Sequence, residues 1–119
     1  MSQTIEMTVG SQTYDVDLLE NDAAKDWISR LPQKIQFEDY GTTERIAYLN
    51  PKLRVGQSPT SMTPQKGDLT YYMPWGNLAV FVRPFRESDG LVPLGRLSEA
   101  ALQAVARSGD RTVEFRLKE

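Results

Sequence analysis

The sequence predicts a mainly β domain: a closed or nearly closed antiparallel β-barrel with a short helix at each end. Three observations carry this. Near the N-terminus, Ile5, Met7 and Val9 alternate with Thr4, Glu6 and Thr8, the period-two pattern of a strand with one buried face. In the middle, Gly67–Val82 reads GDLTYYMPWGNLAVFV, two strands around a turn punctuated by Pro74 and Gly76. Only two segments show helical spacing, too few for an alternating α/β sheet. The 119 residues are close to the commonest domain size, so residues 1–119 are expected to form one domain.

The elements follow in order. Tyr14, Val16 and Leu18 alternate like the first strand, and Gly10-Ser11-Gln12 separates the two runs as a hairpin turn. Asn21 can cap a helix, and Asp22 suits the positive end of its dipole. Ala23, Ala24, Trp27, Ile28 and Leu31 then share one face of this helix, and Pro32 ends it. Trp27 is therefore a core anchor. Lys34–Asp39 alternates around Ile35 and Phe37 as a third strand. Glu44–Leu49 reads equally as a short strand or a helical turn. Asn50 to Lys66 is rich in Pro, Ser, Thr, Gln and Gly, a long surface loop that is either functional or mobile.

After Val82, Pro84–Gly90 is a polar connection. Leu91, Val92 and Leu94 form a further strand, interrupted by Pro93 as at an edge or a bulge. Ser98 caps a second helix, Glu99–Arg107, whose apolar residues include Ala101, Leu102 and Val105, and Gly109 stops it. Thr112–Leu117 closes the chain as a strand with Val113, Phe115 and Leu117 on one face.

Composition narrows the function. A hydrophobic fraction of 39% with 25% charged residues is ordinary for a soluble globular domain. The net charge of −2 argues against a nucleic-acid partner, which needs a basic face. No stretch approaches the roughly 20 apolar residues of a membrane span, and MSQTIEMTVG lacks the cationic start and apolar run of a signal peptide. A cytoplasmic protein that binds no membrane is the simplest expectation. There is no Cys and no His, so thiolate chemistry, disulfides, a Ser-His relay and imidazole metal ligands are all excluded.

Candidate site residues gather in the aromatic run. Adjacent strand residues point to opposite faces, so one of Tyr71 and Tyr72 looks outward or into a groove. Tyr72, Met73, Trp75, Phe81 and Phe85 are the candidate ligand-binding residues, because Trp and Tyr make recognition contacts in such grooves. The alternative is that Tyr71, Trp75 and Phe81 complete the core, their polar handles reaching backbone partners. Lone acids are weak metal candidates: Asp68 follows Gly67 at a turn and suits a turn hydrogen bond, while Asp15 and Asp17 alternate outward. No metal site is expected. No Gly-rich phosphate loop is present, and no cofactor is implied.

The run GDLTYYMPWGN-LAVFV, followed by LVPLGRL, resembles the bacterial cyclophilin-like proteins, and the resemblance extends from Thr4 to Leu117. It implies a compact barrel of about eight strands with two helices. Enzymatic cyclophilins are prolyl cis–trans isomerases. They place an apolar pocket and an Arg guanidinium around the proline amide, whose rotation barrier is about 18–20 kcal/mol. Their Phe-His-Arg-Val stretch has no counterpart here; FEDYGTTERIAYLN occupies that region. Gln65-Lys66-Gly67-Asp68 resembles only the end of their Phe-Met-x-Gln-Gly-Gly-Asp strand, and Leu91 stands where their pocket His would be. Two readings follow. One is a binding module for a proline-containing peptide or a small apolar ligand, without an isomerase site. The other is a divergent isomerase with Arg45 as the polarising group and Phe81 in its pocket. Against the second, Arg45 lies near Glu44 and Asp39, either of which can pair with it.

Overall fold

The protein is described by a computed structural model covering residues 3–107 and 111–118. Gln3–Val9 (β1) and Gln12–Leu18 (β2) form the expected hairpin, with Ile5 opposite Val16 and Met7 opposite Tyr14. The helix Asp22–Ile28 (α1) starts at Asn21, whose side chain accepts from the Ala24 N–H at 2.9 Å. It is shorter than the Asp22–Leu31 expected: the N–H groups of Arg30 and Leu31 reach back three residues to Trp27 and Ile28, the tightening common in a last turn.

Gln33–Tyr40 (β3) pairs with Glu44–Tyr48 (β4), which settles the ambiguous segment as a strand. Asp68–Tyr72 (β6) and Asn77–Phe81 (β7) are antiparallel neighbours, as the aromatic run implies. Leu91–Leu97 (β9) leads to the helix Glu99–Ala106 (α2), and Arg111–Leu117 (β10) closes the chain. Ser98 caps α2 by accepting from the Ala101 N–H. Gly109, expected to stop that helix, lies outside the described residues. Eight strands close the barrel in the order β1-β10-β3-β4-β7-β6-β9-β2.

Of the two placements expected for Pro93, an edge or a bulge, the structure takes the bulge. Strand β9 is not an edge: it pairs with β2 on one side and β6 on the other. Pro93 is accommodated by a bulge, where the register passes from Leu69 opposite Gly95 to Thr70 opposite Pro93. Leu94, the extra residue, accepts the Leu19 N–H through its carbonyl, and Asn21 Nδ2 donates to the Pro93 carbonyl.

The segment Asn50–Lys66 is more ordered than its composition suggests. It contains Ser61–Met62 (β5), which pairs with Ser88–Asp89 (β8) from the connection after β7. Arg30 donates to the carbonyls of Pro51 and Lys52. The N–H groups of Arg54 and Gln57 donate to Asp26 and Asp22, and Ala23 N–H donates to the buried Ser58 hydroxyl. Asp26 shows what this anchoring involves electrostatically. Burial pushes its carboxyl pKa up, but the Arg54 N–H and the Arg30 guanidinium outweigh that and hold it below the usual value.

The core fills the barrel. Helix α1 covers one end, with Trp27 edge-on to Phe115 at 4.8 Å and its Nε1 donating to Gln33. Helix α2 covers the other through Ala101, Leu102 and Val105. A second, separate apolar cluster of Ile46, Ala79, Phe81 and Leu91 lies on the outer face, with Met62 and Tyr72 against it. Strand β7 is therefore buried on both faces, which accounts for its continuous apolar sequence.

Candidate functional site

Register decides which side chains reach the outer face. On β4 and β7, Glu44 lies opposite Phe81, Ile46 opposite Ala79 and Tyr48 opposite Asn77. Ile46, Ala79 and Phe81 belong to the outer cluster, so period-two alternation puts Glu44 and Asn77 on that side too. Tyr72 of β6 pairs with both Asn77 and Leu91. Of these, Glu44, Tyr72, Asn77, Phe81 and Leu91 line a cavity of about 280 Å³, near the lower limit for small-molecule sites.

Two aromatic groups line it. In the first, Trp75 meets Tyr40 at 5.3 Å and Tyr72 at 5.4 Å between ring centroids, both edge-to-face. Trp75 is 44% exposed, so it is not a core residue. In the second, Phe85 stacks on Phe81 at 6.3 Å, and the Arg86 guanidinium lies 4.9 Å over the Phe85 ring. Phe81 itself is buried in the outer cluster beneath the site. Its two expected roles, packing and pocket lining, thus coincide in one residue. Tyr71 faces the opposite way, into the barrel, where its hydroxyl accepts the Leu53 N–H.

Of the five ligand-binding candidates, Tyr72, Trp75, Phe81 and Phe85 line this cavity. Met73 does not; it packs against the main core. The Asn50–Lys66 segment, considered as a cover for the site, contributes no lining residue. It instead anchors to α1 and Tyr71, and through β5 and the carbonyls of Thr60 and Pro64 it holds the Phe85–Gly90 stretch that lines one side; Met62 packs against the cluster below.

The structure adds polar groups that the aromatic run does not announce. Asn77 is 1% exposed, and neither its Nδ2 nor its Oδ1 has a hydrogen-bond partner. Buried amides are nearly always paired, because an unmade bond costs about 1–3 kcal/mol. Glu44 lines the same cavity, and burial pushes its carboxyl pKa up. Ser88 and Asp89 of the β5–β8 ribbon complete one side. The one sequence signal for Asn77 was a polar residue opening an otherwise apolar strand.

Arg45 is placed elsewhere. It lies opposite Val80, on the face of β4 opposite to Glu44. Its guanidinium donates to the carbonyls of Glu44 and Ala106, at 3.1 Å each. Its Nε sits 2.9 Å from Asp39 in an ion pair whose angle makes no hydrogen bond. The contact with Ala106 puts a cation at the C-terminus of α2. The structure does not bring Arg45 to Phe81 in one site.

The other acids have structural partners. Asp68 accepts from Arg96 at 2.7 Å and from the Gln65 N–H at 2.8 Å, closing the turn before β6. Among the described residues no group of three acidic side chains converges as a metal site would. A second depression of about 390 Å³ includes Asp17, Leu19, Met62 and Asp68. Its acids are engaged by Thr4 and Arg96, so it presents no unpaired buried group. No described helix is long and apolar enough to cross a membrane.

Comparison with known protein families matches the cyclophilin-like family over residues 7–116. No curated protein matches. Among solved structures, the hypothetical protein AF2241 from Archaeoglobus fulgidus is similar, with a TM-score of 0.68 at 15% identity. The similarity covers 98% of this chain and 95% of that one. At that identity the likeness concerns the fold.

Proposed function

The chain belongs to the cyclophilin-like family, and we propose that it is a binding module that takes a proline-containing peptide or a small ligand in the cavity beside the Tyr72–Trp75 turn. The observation that carries this reading is the exposed Trp75, held by Tyr40 and Tyr72 at the mouth of a concave site. A large ring kept at the surface by two edge contacts is preorganised to receive a ligand.

Trp75→Ala should weaken binding of a short Xaa-Pro peptide or of indole by about 2 kcal/mol or more, as loss of an anchor does. Calorimetric titration measures this, and circular dichroism should show the fold retained. An unfolded variant, or Trp75 emission that no ligand perturbs, would return the turn to a packing role.

Isomerase catalysis is not part of this reading. The Arg45 guanidinium is occupied by Asp39 and two carbonyls on the side of β4 away from the cavity. A protease-coupled assay on an Xaa-Pro peptide should show no acceleration over the uncatalysed rate. Turnover that disappears in Arg45→Ala would reinstate the enzyme.

A further inference from the structure

We infer, granting the cavity the binding role proposed above, that its ligand is a planar nitrogen heterocycle of free-purine-base size, with a lactam edge that pairs with the Asn77 amide and an N–H at its far end that donates to Glu44.

The first reason is the orphan amide. Asn77 offers one donor and one acceptor side by side, both buried and both unpaired. Only a ligand with an adjacent acceptor and donor satisfies both at once. A purely apolar ligand would seal the amide in without a partner, which is the costly arrangement. The second reason is spacing. Asn77 and Phe81 are four residues apart along β7, and Glu44 lies opposite Phe81. At about 3.3 Å per residue the two polar groups stand on backbone roughly 13 Å apart. Both side chains line the same cavity, and a span of that size accommodates one bicyclic ring with a hydrogen bond at either side.

The third reason is charge and shape. The Glu44 carboxylate faces a partly desolvated site and forms no hydrogen bond or ion pair in the structure, so it favours an N–H donor. The Tyr40–Trp75–Tyr72 and Phe81–Phe85 groups supply flat apolar walls suited to a ring. Hypoxanthine has this arrangement: N1–H beside O6 at one end, and an imidazole N–H at the other.

The test is a titration of Trp75 emission, with Trp75→Phe reporting the buried Trp27 alone. The probes are hypoxanthine, 1-methylhypoxanthine, 9-methylhypoxanthine, indole and an Xaa-Pro peptide. Hypoxanthine should bind, and methylation at N1 should weaken it about tenfold or more, as a site left with an unpaired polar group rejects an analogue. Asn77→Leu should weaken hypoxanthine by a similar factor and make the protein indifferent to N1 methylation. Glu44→Leu, which removes the acceptor, should act likewise toward 9-methylation. A melting curve establishes that Asn77→Leu is folded, and Asn77→Asp, which loses the donor, serves as a second variant.

Binding of indole or the peptide without hypoxanthine would overturn the inference and leave the binding module standing. Hypoxanthine binding that neither Asn77 variant changes would overturn it too. Silence of Trp75 toward every probe would overturn both.

Discussion

Trp27→Ala should cost the domain about 4 kcal/mol, as truncation of a fully buried indole does. The ring is wholly inaccessible, packs edge-on to Phe115 at 4.8 Å, and donates to Gln33 at 3.1 Å. The substitution opens a void where α1 closes the barrel and leaves the Gln33 acceptor without its indole donor. Against a total stability of about 5–15 kcal/mol for a domain of ordinary size, most of the margin goes. Urea denaturation measures it through the midpoint. A loss below about 1 kcal/mol would mean that α1 does not close the core as described. The contrast with Trp75, exposed on a turn, is the useful part: one tryptophan should govern stability and the other binding.

Gly95→Ala should cost about 3 kcal/mol, for a different reason. A Cβ at position 95 would run into the Asp17 carbonyl oxygen and come within 3.0 Å of Leu18 Cα. Both are backbone atoms of β2, hydrogen-bonded into the barrel at the pairing of Leu18 with Gly95. Backbone locked in a sheet cannot step aside as a flexible side chain can. Denaturation of this variant with an unchanged midpoint would contradict the register described for β2 and β9.

The same region shows what the family run is for. Asp68 and Arg96, from its two separated parts, form an ion pair at 2.7 Å. Gly67 donates to the Phe81 carbonyl and accepts the Leu97 N–H. Gly-Asp and Pro-Leu-Gly-Arg therefore lock β6, β7 and β9 together, while Tyr72, Trp75 and Asn77 of the same run line the cavity.

Much of the fold was legible because it rests on local signals. Alternation at Ile5, Met7 and Val9 and caps at Asn21 and Ser98 state their structure within a few residues. The β5–β8 ribbon was not legible, since two-residue strands have no periodicity to read. Nor was the anchoring of Asn50–Lys66, which depends on Asp22, Asp26 and Arg30 from a distant helix. At the site, aromatic density drew attention to Tyr72, Trp75, Phe81 and Phe85. Asn77 was only a polar residue opening an apolar strand, and Glu44 read as a salt-bridge partner. Only the register of β4 on β7 puts these two on one face with Phe81, while turning Arg45 to the other.

The most direct test of the outer-face site is a nitrogen-15 NMR titration of the whole chain with the Xaa-Pro peptide, indole and hypoxanthine in turn. The Trp75 indole N–H, the Asn77 side-chain amide and the backbone amides of Phe81 and Phe85 should shift together, saturating with one affinity for each ligand that binds. Shifts centred instead on Leu19, Met62 and Asp68, around the second depression, or no shift at Trp75 and Asn77 with any of the three, would contradict it.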